Sequence, residues 1–336
     1  MTSATADAIR PTIPGLSLRH FRPGDGAALA ELENAAFAAD GIHWRSTGEE
    51  TENWYARPSP GFDASRDVLV VELDGRIVGE TNISRVDTTD GLREYRIGCT
   101  VHPDLRRRGM GRWLQRLSEE AAAARLRNEP SERPAVMGSW CPERSTGKIA
   151  LLEQEGYRAV RFFFDMDRPN LEGIVLPPMP EGLEVRPVPA ERLRELWDAD
   201  VEAFLDHWGG FEATDARFET WRSDPKFDPS LHVVAWDGDQ IAGGVINQVN
   251  EAENAALGRR QGWLASVFVR RHWRRRGLAK ALVMRSLAVL RDRGLTSAGL
   301  GVDAENANAA LHLYVECGFE VAMKSSAYRK PMVPDA

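Results

Sequence analysis

The sequence predicts an α/β (α+β) chain that carries one domain twice. Two observations lead there. A strand, an arginine-rich turn and a helix occur in succession at 267–280 and again at 99–112, with Gly109 and Gly277 lying 168 residues apart. The landmarks around these turns also recur in the same order, at offsets between 162 and 168 residues. Gly15-Leu16-Ser17-Leu18-Arg19 returns as Gly182-Leu183-Glu184-Val185-Arg186, and Val70-Val71-Glu72-Leu73-Asp74-Gly75 as Val233-Val234-Ala235-Trp236-Asp237-Gly238. Glu155-Gly156-Tyr157 returns as Cys317-Gly318-Phe319, and Arg168-Pro169 as Lys330-Pro331. Ordered self-similarity of this kind is the mark of a duplicated unit.

The expected layout is a disordered tail over 1–14, a first domain over 15–169, a stiff proline-containing linker over 170–181 and a second domain over 182–336. A chain of 336 residues is long enough for two cores of ordinary size. In the second copy, strands are expected at 183–187, 231–236, 241–249, 261–269, 298–303 and 319–330. Helices are expected at 190–204, 215–222, 277–292 and 307–316. Asp74-Gly75 and Asp237-Gly238 between alternating apolar runs mark β-hairpins. Behind Gly277, the residues Leu278, Leu282, Val283, Leu287 and Leu290 recur at helical spacing; behind Gly109, Trp113, Leu114, Leu117, Ala121 and Ala124 do the same.

Composition narrows the class of ligand. Apolar residues make up 43% and charged residues 28%, and the net charge is −7. An acidic balance of this kind argues against nucleic acid and anionic membranes as partners. Local arginine clusters at helix starts then point to a small anion. The free amides and partial positive charge of a helix's first turn suit such a ligand. Cys99, Cys141 and Cys317 show no metal-binding spacing, and no metal is expected. No apolar run approaches the ~18 residues that span a bilayer, and the N-terminus lacks a signal-peptide core. The expected location is cytoplasmic, as a monomer or a homodimer.

Arg106-Arg107-Arg108-Gly109-Met110-Gly111 and Arg274-Arg275-Arg276-Gly277-Leu278-Ala279 each follow a strand and precede a helix. This wording resembles the acyl-CoA pyrophosphate signature of the GCN5-related N-acetyltransferase (GNAT) family. The resemblance implies two tandem domains, each a mixed, mostly antiparallel sheet flanked by helices. It implies acetyl-CoA as co-substrate, with its pantetheine arm along the backbone of Val267, Phe268 and Val269. The pyrophosphate would lie at Arg274, Arg275, Arg276, Gly277, Leu278, Ala279 and Lys280. In the first copy the corresponding residues are Cys99, Thr100 and Val101, then Arg107, Arg108, Gly109, Met110, Gly111 and Arg112.

A second segment, 302–319, resembles the family's Asn…Ala-x-x-Leu-Tyr-x-x-x-Gly-Phe element. It implies Asn306 as a donor-binding residue and Tyr314 as the general acid that protonates the departing thiolate, a task suited to a phenol. Four residues before Gly156, the first copy has Leu152 where the second has Tyr314. The second domain is therefore expected to catalyse, and the first to keep a cradle without turnover.

The reaction implied is direct attack of a small-molecule primary amine on the thioester. No Cys–His pairing favours a covalent intermediate. Many family members place an acid in the strand before the turn, yet Gly262-Trp263-Leu264-Ala265-Ser266-Val267-Phe268-Val269 holds none. Candidates for the base are Asp206 and His207, and Glu251 or Glu253 in an expected hairpin loop, and it stays unassigned. His207, Trp208 and Trp263 are expected to face the substrate. The alternative is a sensor or scaffold that binds acyl-CoA without turnover.

Overall fold

The computed structural model describes residues 4–56, 61–205, 208, 213–305 and 310–332. In chain order, the first part forms α1 (Ala4–Asp7), β1 (Leu16–His20), α2 (Gly26–Ala39), α3 (Gly48–Ala56), α4 (Ala64–Asp67), β2 (Val68–Leu73) and β3 (Arg76–Asp87). There follow β4 (Arg93–Val101), α5 (Met110–Asn128), β5 (Ala135–Pro142), α6 (Thr146–Gln154) and β6 (Arg158–Arg168). The second part forms β7 (Leu183–Val185), α7 (Leu193–Phe204), α8 (Asp215–Arg222), β8 (Val233–Asp237), β9 (Gln240–Val249) and α9 (Glu251–Leu257). It closes with β10 (Gln261–Val269), α10 (Leu278–Asp292), β11 (Ser297–Asp303), α11 (Ala310–Glu316) and β12 (Glu320–Pro331).

Two compact units result. Unit 1 comprises 1–161 with 325–336, and unit 2 comprises 162–324. Their borders differ from those of the sequence repeats because the terminal strands are exchanged. Phe163–Arg168 of β6 pairs antiparallel with β11, inside unit 2. Residues 325–331 of β12 pair antiparallel with β5, inside unit 1. The exchange is secured by side chains as well as by backbone. Met166 is fully buried in the core of unit 2, and Tyr328 lies beside Tyr95 and Leu152 in the core of unit 1.

Within unit 1 the strand order is β1-β2-β3-β4-β5-β12, antiparallel except for the parallel β4/β5 pair. Within unit 2 it is β7-β8-β9-β10-β11-β6, antiparallel except for β10/β11. Both faces of each sheet are covered, as adjacent residues show. Val70 packs with Leu29 of α2, whereas Val71 packs with Trp113 and Leu114 of α5. Val234 packs with Leu196 of α7, and Val233 with Leu282 and Leu287 of α10. Continuous apolar runs in these strands follow from that double burial.

Three expectations are corrected. The tail was expected to be disordered, but Ala6 is fully buried against α5 and its N–H donates to Glu120 at 3.0 Å. The segment 170–181 is no free spacer: Leu171 sits in the core of unit 2, with Ile174 and Met179 packed on the same cluster. Its apolar residues find burial there, and Arg285 donates to the Pro177 carbonyl at 2.9 Å. Finally, 251–257 forms a helix capped by Asn250 rather than an open hairpin loop.

Candidate functional site

Each parallel strand pair holds only at one end. Arg93–Arg96 of β4 pairs with 135–138 of β5, and Gln261–Leu264 of β10 with 297–300 of β11. Beyond those residues the strands part, while β4 and β10 stay bonded to β3 and β9 on their other edges. Cys99, Thr100 and Val101, like Val267 and Val269, therefore present an unpaired edge, to which an extended ligand arm can add. In β10 the pairing also shifts register between Leu264 and Ser266, a bulge that bends the strand where the gap opens.

The arginine turns sit at the ends of these open edges. Arg275 and Gly277 have left-handed backbones, with φ of 62° and 80°, as do Arg107 and Gly109, with φ of 63° and 85°. Neighbouring left-handed residues turn successive N–H groups inward, and a helix start follows, so each turn forms an anion nest. The side chains divide their tasks. Arg274 donates to the carbonyls of Val269 and Ala203 at 3.0 and 3.1 Å, and Arg106 to that of Ala36 at 3.1 Å and to Asp40 at 2.6 Å. They tie the turns to the last turns of α7 and α2 respectively, where a cation is favoured. Arg276 donates to the Glu181 carbonyl at 3.1 Å, Lys280 pairs with Glu316 at 2.8 Å and Arg112 with Glu155 at 2.7 Å. Arg275, Arg107 and Arg108 are exposed and carry no hydrogen bond or ion pair among the described residues. Met110 and Leu278 are core residues, each 1% exposed, and offer a ligand only their amides. Ala279 and Gly111 lie in the first helical turns behind the nests.

Tyr314 lies on α11 within the α10-side core of unit 2, 6.1 Å from the Phe319 ring centre. Its hydroxyl makes no hydrogen bond among the described residues, and burial pushes its pKa up. It therefore holds its proton until a base is generated beside it. The expected counterpart Leu152 is fully buried in the core of unit 1. His207 and Asn306 lie outside the described residues, as does Asp206. Trp208 packs on Phe163 at 6.2 Å between ring centres. Trp263 lies over Gly299, where a Cβ would meet its ring at 2.5 Å and the Asp167 carboxylate at 3.1 Å. Of the candidate bases in the hairpin, Glu253 is paired with Arg259 at 3.1 Å.

The α7 side of the unit 2 sheet holds acids that the sequence did not single out. Ser266, beside the bulge, donates its hydroxyl to Asp200 of α7 at 2.5 Å. Burial pushes the Asp200 carboxyl up to about 6, against the pull of that hydrogen bond. Asp165 of β6 is likewise raised to about 6, by burial and then by the neighbouring Asp167, which accepts from Gln261 at 2.9 Å. The signal for Asp200 was present: it falls four residues after Leu196 and three before Ala203, on the buried stripe of α7. An acid on an apolar helical face is a functional candidate. Asp165 left no such trace, because it enters unit 2 through strand exchange.

The profile of the acetyltransferase (GNAT) family matches residues 28–131 and 191–319. The chain belongs to this family. It is 31% identical over 307 residues to the mycothiol acetyltransferase of Geodermatophilus obscurus, covering 88% of this chain and 91% of that one. Identity to the mycothiol acetyltransferase of Salinispora arenicola is 31% over 322 residues, covering 95% and 96%. The GCN5-related N-acetyltransferase of Sphaerobacter thermophilus superposes with a TM-score of 0.75 at 29% identity, over 96% of this chain and 98% of that one. A tandem GNAT protein from the clavulanic acid biosynthesis pathway shares the fold, with a TM-score of 0.70 at 17% identity over 96% and 100%. The protein is thus a tandem GNAT N-acetyltransferase, and an open edge with its arginine turn occurs once in each unit. No helix among the described residues is long and apolar enough to cross a membrane.

Proposed function

We propose that unit 2 transfers the acetyl group of acetyl-CoA to the primary amine of a small molecule, and that unit 1 does not turn over. The donor's pyrophosphate would rest on the nest of Arg275 and Gly277, with its pantetheine arm along the open edge at Val267 and Val269. The amine nitrogen attacks the thioester carbonyl carbon; the N–C bond forms and the C–S bond breaks. Asp200 accepts the proton released by the amine, and Tyr314 protonates the departing thiolate, giving the amide and free CoA.

The observation that carries this reading is the Asp200–Ser266 hydrogen bond at the bulge of β10. It supplies an acid beside a strand that has none of its own, and a carboxyl raised to about 6 is a competent base near neutral pH. The relatives' name supports an acceptor of the mycothiol-precursor class, a cysteinyl amine on a sugar–inositol conjugate. Asp165 and Asp167 on the same face suit an ammonium group as it arrives.

The test is CoA thiol release from acetyl-CoA over a panel of amines that includes cysteinyl glycosides. Turnover with that class and its loss in Tyr314→Phe are expected. CoA binding with no turnover for any amine would instead favour an acyl-CoA sensor or scaffold.

A further inference from the structure

Unit 1 contains a cavity of about 620 Å3, of the size that takes a small molecule. Turn residues Arg107, Gly109 and Arg112 line it, but so do Glu80, Tyr55, Trp44 and Trp140. The second group has no part in a cradle for a phosphorylated donor.

Glu80 is 5% exposed on β3, an interior strand. Its Oε1 accepts from the Tyr55 hydroxyl at 3.0 Å and from the Asn82 amide at 2.7 Å, while Oε2 carries no hydrogen bond among the described residues. Burial pushes the carboxyl up, the two donors pull it down, and Glu33 and Lys148 act on it from the same cavity wall with opposite signs. A nearly buried acid that lines a cavity is costly in a packed core and useful in a binding site. Beside it stand aromatic walls: Phe37 meets Trp44 edge-on at 5.4 Å, and Trp44 meets Trp140 at 6.4 Å between ring centres. Aromatic faces together with a carboxylate are the chemistry that recognises an organic cation.

Unit 2 fills the corresponding position differently. Glu80 pairs with Val70 and Thr100, and the residue in the same hairpin register of unit 2, Gly244, pairs with Val234 and Phe268. A Cβ at Gly244 would meet the Phe268 ring at 2.9 Å, and Phe268 is 2% exposed among Leu196, Ala203 and Trp236. The duplicated fold thus fills the position with a phenyl ring in one unit, and in the other sets a carboxylate and a small threonine around open space.

We propose that the cleft of unit 1 is a second ligand site, which takes an organic ammonium compound with its body against Phe37, Trp44 and Trp140 and its nitrogen on Glu80. This site is independent of which unit transfers acetyl groups, and it makes unit 1 an amine-binding module rather than a bare scaffold.

The test is calorimetric titration of the full chain with phenethylamine and with its uncharged counterpart 2-phenylethanol. Saturable binding of the amine is expected, with Kd raised about ten-fold or more in Glu80→Gln, as for loss of a charged hydrogen bond. Trp140→Ala, at a residue 41% exposed and so safe for folding, should weaken binding similarly. Asp200→Asn should bind as the parent does. Equal affinity for the alcohol, unchanged binding in Trp140→Ala, loss in Asp200→Asn, or no saturable binding of the amine would each overturn the proposal.

Discussion

Ser266 of β10 and Asp200 of α7 are joined by a 2.5 Å hydrogen bond on the α7 side of the unit 2 sheet. A strand without an acid thereby acquires one from the helix packed upon it. Burial raises the Asp200 carboxyl to about 6, and the role of base proposed for it sets the direction of the pH response. Acetyl transfer should rise with pH through about 6, as Asp200 loses its proton, and Asp200→Asn should lower kcat by about a hundred-fold. A pH profile of kcat/KM that keeps the same lower limb in Asp200→Asn would rule Asp200 out.

The same carboxyl shapes stability. Folded Asp200 holds its proton more tightly than the unfolded chain, in which aspartate titrates near about 3.9. Its stabilising contribution is full below about pH 4 and is lost as pH rises through about 6. Thermal melts of Asp200→Asn should therefore show a shallower fall in Tm across that window. The share due to Asp165, which is raised to the same range, should remain.

Tyr314 presents a hydroxyl with no hydrogen-bond partner among the described residues and a pKa pushed up by burial. Tyr314→Phe should reduce kcat by about a hundred-fold while leaving the KM for acetyl-CoA near the parent value. Steady-state kinetics with the donor varied would separate these effects. An unchanged kcat would remove Tyr314 from the mechanism.

Adjacent arginines should behave differently. Arg275→Ala removes an exposed cation beside the nest and should raise the KM for acetyl-CoA several-fold with no change in Tm. Arg274→Ala strips the bonds to the Val269 and Ala203 carbonyls and should lower Tm. Melting curves and donor titrations on the two variants would distinguish a ligand contact from a brace.

The exchanged strand β12 predicts a long-range dependence. Arg329, 8% exposed, pairs with Asp90 at 2.7 Å and with Glu94 at 3.1 Å, both in unit 1. Arg329→Ala leaves Glu94 with Arg96 alone, at 3.0 Å, and should destabilise unit 1 by about 1.5–3 kcal/mol. Denaturant melts should show this loss although the residue lies at the far end of the chain.

Much of the protein was legible in one dimension. Periodicity placed nearly every strand and helix of the second copy, because each element buries a face and the burial writes its period into the residues. The two turns were legible because a left-handed Gly277 or Gly109 and a helix start are local requirements, met by neighbours in the chain. The contrast between Tyr314 and Leu152 was legible for the same reason: both are fixed by their distance from a helix-ending glycine.

Tertiary structure alone decided the rest. Asp200 and Ser266 are 66 residues apart, and nothing in either segment names the other. Arg274 and Arg275 read alike, yet only packing makes one a brace and leaves the other exposed. The exchange of β6 and β12 was invisible because duplicated strands offer similar edges, and the choice between them rests on side-chain fit at Met166 and Tyr328. Glu80 reads as an ordinary acid in a strand of mixed polarity; its place beside Trp44 and Trp140 exists only once the sheet and its helices have closed around it. Local chemistry is set by neighbours in the chain, whereas a site is set by neighbours in space.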